Sequence, residues 1–283
     1  MRFKTKTKSS NNIKKTFHNN WKLTTQEIAF MAILLALYTV IKYLTNLVLT
    51  GPLNISIELF FWIINGILFS PLKGAIFSTL CDTVFCFFTV GIAYWMIEYA
   101  IVAPIVSVVS SFFLKMYKEK NKWTIVFSIS TILILIISTL IIFFIQLFSG
   151  RFDYEGVSSK KILPFFIYLL ISFLCFSMIA FLITSLVLFK KNNDWKYIKW
   201  LHYLTLIILV IIIFRWLWGP YAYLQFSKRF YSKKIDFAKQ YPISLFGIIT
   251  KSCLTIPIIS SITIPILSIL EKLKTSNHNK NRF

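Results

Sequence analysis

The sequence predicts an all-α polytopic membrane protein, and three observations predict it. Four long apolar stretches crowd into residues 24–113, separated by connectors too short to hold a domain. Hydrophobic residues make up 57% of the 283 positions and charged residues only 14%, a balance far from that of a soluble globular domain. Lys and Arg gather in particular connectors, the pattern by which membrane helices set their orientation. In hydrocarbon every backbone N–H and C=O must be satisfied within its own segment, so such spans read as helices.

The first span, IAFMAILLALYTVIKYLTNLVLT over 28–50, is long enough to cross a bilayer. On it Ala29, Ala32 and Ala36 recur at three- and four-residue steps, a flat strip where another helix can approach closely. The second, ISIELFFWIINGILF over 55–69, sits at the lower length limit. A corner, Ser70-Pro71-Leu72-Lys73-Gly74-Ala75, leads into the third span over 72–91, and the fourth covers 94–114. Residues 123–148 and 162–189 read as two more, 198–218 as a seventh, and 241–270 as an eighth kinked at Pro257 and Pro265. Eight transmembrane helices are therefore expected. The apolar stretch after Lys22 is too long for a signal-peptide core and lacks a small-residue cleavage site, so it is expected to be retained.

Twenty Lys and Arg lie in 1–22, at Lys73, and in 115–122, 190–199 and 271–283, against eight in 149–161 and 219–240. That asymmetry predicts a multi-pass protein of the cell membrane with both termini cytoplasmic. It absorbs most of the +21 net charge, so a nucleic-acid partner is not expected. The basic tails 1–23 and 271–283 are expected to lie against anionic membrane lipids. Cys81, Cys86, Cys175 and Cys253 all fall inside spans with no CxxC, and His18, His202 and His278 are scattered, so neither a disulfide framework nor a metal or cofactor site is expected.

Charges inside spans carry more information, because each is costly at membrane depth unless it faces protein, water or a partner. With the orientation above, Lys42, Glu58, Glu98, Arg215 and Lys251 fall in the outer half of the membrane. Together they predict a polar cavity open to the outside, against the alternative that single members snorkel to the interface or pair with one another. Asp82 lies near mid-membrane on a face shared with Gly74 and Ser78 and reads as a helix-bonding or coupling residue. Tyr94, Trp95, Tyr99, Trp216, Trp218, Tyr221 and Tyr223 cluster at the outer ends. An interfacial belt accounts for them, and Trp95 and Trp216, close to Glu98 and Arg215, could equally clamp a planar ring.

The Ala-rich first span, the Ser70–Ala75 corner and Asp82 together resemble the start of a substrate-binding S component of the energy-coupling factor (ECF) vitamin transporters. Residues 24–115 resemble the first four of the family's six helices. The segments IIIFRWLWGPYAYL and TKSCLTIPIISSITIPIL, within 200–270, resemble the last two helices of its folate-type branch, with Lys251 and Pro257 in the positions of that branch's lysine and proline. Residues 116–199 depart from the pattern as an inserted two-helix hairpin with its loops. The resemblance implies a six-helix core plus two inserted helices and a docking strip at Ala29, Ala32 and Ala36 for the ECF transmembrane coupling subunit. It also implies two separate ATPase subunits that supply the energy. A vitamin-like small molecule, folate or a related pterin favoured, would bind in a cavity walled by the outer helix ends and the loops 50–57, 90–95 and 219–240. The ligand-binding residues are then Lys42, Glu58, Trp95, Glu98, Arg215, Trp216 and Lys251.

The chain has no GxxxxGK[ST] phosphate loop, so it is not expected to be the ATPase by that route. Other readings are a membrane-embedded lipid-modifying enzyme and an independent secondary transporter. Sixteen residues separate Asp82 from Glu98 and no histidine stands near them on the same span, so an enzyme is not expected. No inverted repeat between the two halves is visible.

Overall fold

A computed structural model describes residues 23–48, 57–89, 91–118, 122–149, 162–192, 194–231 and 236–280, and the elements in them are all helical. In chain order these are α1 (Thr25–Val48), α2 (Glu58–Leu68), α3 (Pro71–Thr89), a 3₁₀ turn (Ile92–Tyr94), α4 (Ile97–Ala100) and α5 (Val102–Lys118). There follow α6 (Lys122–Ser149), α7 (Ile162–Asn192), α8 (Trp195–Val210), a π-helical segment (Ile211–Leu217), α9 (Trp218–Tyr231) and α10 (Phe237–Lys280). Among the described residues six stretches are long and apolar enough to cross a membrane: Thr25–Leu47, Pro71–Thr89, Ile97–Met116, Trp123–Ile141, Ile171–Asn192 and Trp195–Tyr231.

Two expectations change. Among the described residues the second expected span has 11 helical residues, about 16 Å at ~1.5 Å per residue, roughly half the ~30 Å of hydrocarbon. The chain leaves the helix at Phe69 (φ −98°, ψ 175°), and Ser70, preceding Pro71, is biased away from helix by the proline ring. The connector expected over 219–240 is instead helical as far as Tyr231, so α8, the π segment and α9 form one 37-residue stretch. Gly219-Pro220 does not break it. Just ahead of that dipeptide the Trp218 N–H donates to the Ile213 carbonyl five residues back, a wider register entered before Pro220, which has no N–H to give. The last helix bends by 47° between Gln240–Cys253 and Thr255–Ile269, where Pro257 cannot donate to the Cys253 carbonyl, so α10 makes a seventh span if the bent pair is one pass.

Helices α2, α3 and α5 pack most closely. A Cβ on Gly66 would overlap the Ser107 carbonyl, and one on Gly74 would stand 2.6 Å from Ser107 Oγ. Asn65 Nδ2 donates to Ser78 Oγ at 3.1 Å across the same contact. Helix α8 is enclosed, with Leu201 through Ile208 buried and α6, α7 and α10 against it. His202 on α8 is taken up by protein partners: Nδ1 meets Ser128 Oγ at 3.2 Å, Nε2 meets the Phe113 carbonyl at 3.0 Å, and the ring stacks on Phe113. Helix α1 stands at the periphery, resting on α2 and α3 through Tyr38 with Met31, Leu34, Leu35 and Ile41. Its start is a capping box, in which Thr24 N–H donates to Glu27 Oε2 and Glu27 N–H to Thr24 Oγ1. Lys73 then clamps Glu27 at 2.8 Å.

That clamp places the start of α1 beside the start of α3. Phe113 against His202 brings the end of α5 to the start of α8. At the opposite end, Trp218 reaches Glu98 and Tyr241 reaches Leu217. The start of α1 and the far half of α10 therefore belong to one end of the bundle, and the Glu98–Trp218 end is the other.

Candidate functional site

At the Glu98–Trp218 end a cavity of about 470 Å³ opens between α1, α2, α3, the α3–α5 connection, the π segment and α9. Helix periodicity explains its walls. On α3 Asp82, Phe85, Cys86 and Thr89 stand at i, i+3, i+4 and i+7, one helix face, and Arg215, Trp218, Gly219, Ala222, Tyr223 and Phe226 continue the same pattern along the π segment and α9. Trp95 and Tyr99 close it from the α3–α5 connection, and Glu58 and Trp62 from α2.

The charges fall into two sets. Lys42 and Asp82 form an ion pair at 3.6 Å, with the Lys42 Nζ donating to Tyr38 Oη at 3.0 Å and the Tyr38 hydroxyl donating to Asp82 Oδ1 at 3.4 Å. The ammonium also sits 4.3 Å from the centre of the Phe85 ring, a cation–π contact. Asp82 thus joins α3 to α1 through its cation, and it also lines the cavity, a position the sequence did not give it. Glu58 and Arg215 make up the second set. Their side chains have no hydrogen bond or ion pair among the described residues, although both line the cavity. A smaller adjoining space of about 160 Å³ is lined by the same Glu58 and Arg215 together with Lys251, Ser252 and Thr255, so Lys251 joins the site from α10. The indole Nε1 of Trp62, buried in the wall, also has no acceptor among the described residues.

Of the expected ligand-binding residues, the structure brings together Lys42, Glu58, Trp95, Arg215 and Lys251. It does not bring Glu98 or Trp216 to the lining. Glu98 holds α4 to α9: its carboxylate accepts from Arg229 at 3.3 Å and its backbone carbonyl from Trp218 Nε1 at 2.6 Å. Trp216 is buried, and its Nε1 donates to Ser252 Oγ at 3.0 Å, bracing the π segment against α10. Trp218, one helical step from Arg215, takes the lining position instead. Tyr99, Trp218 and Tyr223, read from sequence as interfacial belt, line the cavity. The signal for Trp218 was its three-residue step from Arg215, and for Tyr223 two four-residue steps through Gly219. Of the expected wall loops, 90–95 contributes Tyr94 and Trp95 and helical 219–231 contributes a face, while 49–56 lie outside the described residues.

The arrangement suits a small molecule carrying charge and a planar ring. Its size is that of an ordinary ligand pocket, an unpaired guanidinium offers a fork for a carboxylate, and aromatic faces stand on two sides. Among the described residues no three His, Cys, Asp or Glu side chains converge as metal ligands do. No known family, characterised protein or solved structure matches the chain.

Proposed function

We propose that the protein is the substrate-specificity subunit of an ECF-type importer, binding a vitamin-like micronutrient from outside the cell and handing it on through a separate coupling subunit and ATPases. The observation that carries the reading is the placing of Glu58 and Arg215, with no hydrogen bond or ion pair among the described residues, in an aromatic-walled cavity at one end of a helical bundle. Unpaired charges at membrane depth are retained where a ligand completes them. Folate or a pterin is the favoured ligand: Arg215 and Lys251 receive carboxylates, and Trp95, Tyr99 and Trp218 hold the ring. In this reading the chain makes eight passes in the cell membrane, with α2 as a half-length helix and α10 as one bent pass, and both termini are cytoplasmic.

Two further features support it. Ala29, Ala32 and Ala36 are exposed on peripheral α1, available to a coupling helix. Among the described residues the inserted helices α6 and α7 pack on α8 and α10 and contribute none of those that line the cavity. The test is binding to the detergent-solubilised protein by calorimetry and thermal shift across folates, pterins and other charged ring vitamins. Saturable micromolar or tighter binding of one class, lost with Arg215→Gln, supports the reading, and no binding by any class removes it. The Lys42–Asp82 pair inside the cavity favours a second reading, an independent ion-coupled transporter. Ligand uptake into vesicles that contain this chain alone, driven by an ion gradient without ATP, would establish that reading instead.

A further inference from the structure

At the opposite end of the bundle a second groove, about 550 Å³, runs between α7, α8 and the far half of α10. It shares no residue with the cavity above. Its mouth is cationic: Lys196 and Lys199, one turn apart at the start of α8, line it beside Trp200. Each lysine is held over an aromatic ring, Lys196 at 5.2 Å from Trp200 and Lys199 at 5.6 Å from Tyr203. Deeper along the helices the wall turns apolar through Met178, Phe181, Leu204 and Ile264. From Ser268 back to Pro257 the groove follows α10 for eleven residues, about 16 Å at ~1.5 Å per residue.

Ser268 lines the groove at the same end of α10, and among the described residues its buried hydroxyl has no hydrogen-bond partner. A mainly apolar groove with two lysines and an unsatisfied hydroxyl at one end matches one chemistry. We infer that this groove is a binding site for an anionic glycerophospholipid, its phosphate on Lys196 and Lys199, its headgroup hydroxyls toward Ser268, and an acyl chain along Met178, Phe181 and Leu204. Charge complementarity decides against a zwitterionic lipid, and the apolar wall against a soluble anion. The inference is independent of the proposed function, because it concerns other residues at the other end.

The experiment is native mass spectrometry of the full chain in detergent with added phosphatidylglycerol or phosphatidylcholine of the same acyl chains. Phosphatidylglycerol is expected to remain bound as a single adduct, at least fivefold over phosphatidylcholine. Lys196→Gln with Lys199→Gln should cut that retention at least fivefold. Lys190→Gln with Lys191→Gln, which removes the same charge from the exposed end of α7 outside the groove, should leave it unchanged. Equal retention of the two lipids, or equal loss in the two double variants, overturns the site in favour of diffuse surface charge. A dimer or protein adduct indifferent to added lipid overturns it in favour of a protein interface.

Discussion

Arg215 shows how one residue can be placed by a local irregularity. An α-helical register through Ile211–Leu217 would rotate every later residue by a fraction of a turn, and the π segment instead sets Arg215 on the cavity face while Trp216 locks into α10 through Ser252. Replacing Arg215 by Gln keeps a hydrogen-bonding side chain but removes the charge. Binding of an anionic ligand should then weaken by about 1.5–3 kcal/mol, the scale of a hydrogen bond to a charged group, with expression unchanged; calorimetry measures it, and unchanged affinity with reduced thermal stability would make Arg215 structural. The Lys42–Asp82 pair predicts a different pattern. Removing one partner strands a charge at depth, so Asp82→Asn or Lys42→Met alone should destabilise by up to ~3–5 kcal/mol, the scale for breaking a buried pair. The double variant should recover much of the loss. Purely additive losses in a denaturation cycle would show that the two side chains do not depend on one another.

At the scale of elements, α2 and α3 owe their position to small residues. Gly66 lets α2 touch the α5 backbone at Ser107, and no side-chain adjustment can make room there because the obstructing atom is main-chain. Gly66→Ala should therefore cost about 1–3 kcal/mol of stability through overpacking and loosen the wall that carries Glu58 and Trp62. Gly91→Ala is the contrast: nothing lies within 4 Å of its Cβ, and its cost arises from the positive φ of 91° alone. A thermal-stability series on the two variants, with ligand affinity read in parallel, separates packing from backbone strain. Only the Gly66 variant is expected to lose affinity. The long apolar helices were legible in the sequence because hydrocarbon allows few alternatives. The shortness of α2 and the continuation of α8 through Gly219-Pro220 were not, because the first depends on where a buried helix may stop and the second on a π register that composition does not encode. Likewise Glu98 and Trp216 could be assigned a depth but not a direction; their partners Arg229 and Ser252 lie 131 and 36 residues away.

The whole molecule separates its surfaces. The charged cavity occupies one end, the lysine-mouthed groove the other, and α1 stands to one side with its Ala strip bare. The orientation read from basic connectors can be checked on described, exposed positions: Lys228→Cys on α9 should react with an impermeant thiol reagent on intact cells, and Lys190→Cys on α7 only after permeabilisation. The reverse labelling would turn the cavity inward and remove uptake from outside as its purpose. The Ala strip gives the last prediction. In the window that carries it α1 is 6% buried within the bundle, so bulky residues at exposed Ala32 and Ala36 meet no atom of this chain's core. Ala32→Trp with Ala36→Trp should leave stability and ligand affinity nearly intact while abolishing copurification with a coupling subunit and ligand uptake, because close helix approach needs small side chains. Normal complex formation and uptake in that variant would show that α1 faces lipid alone, and the handover of ligand would have to use another face of the bundle.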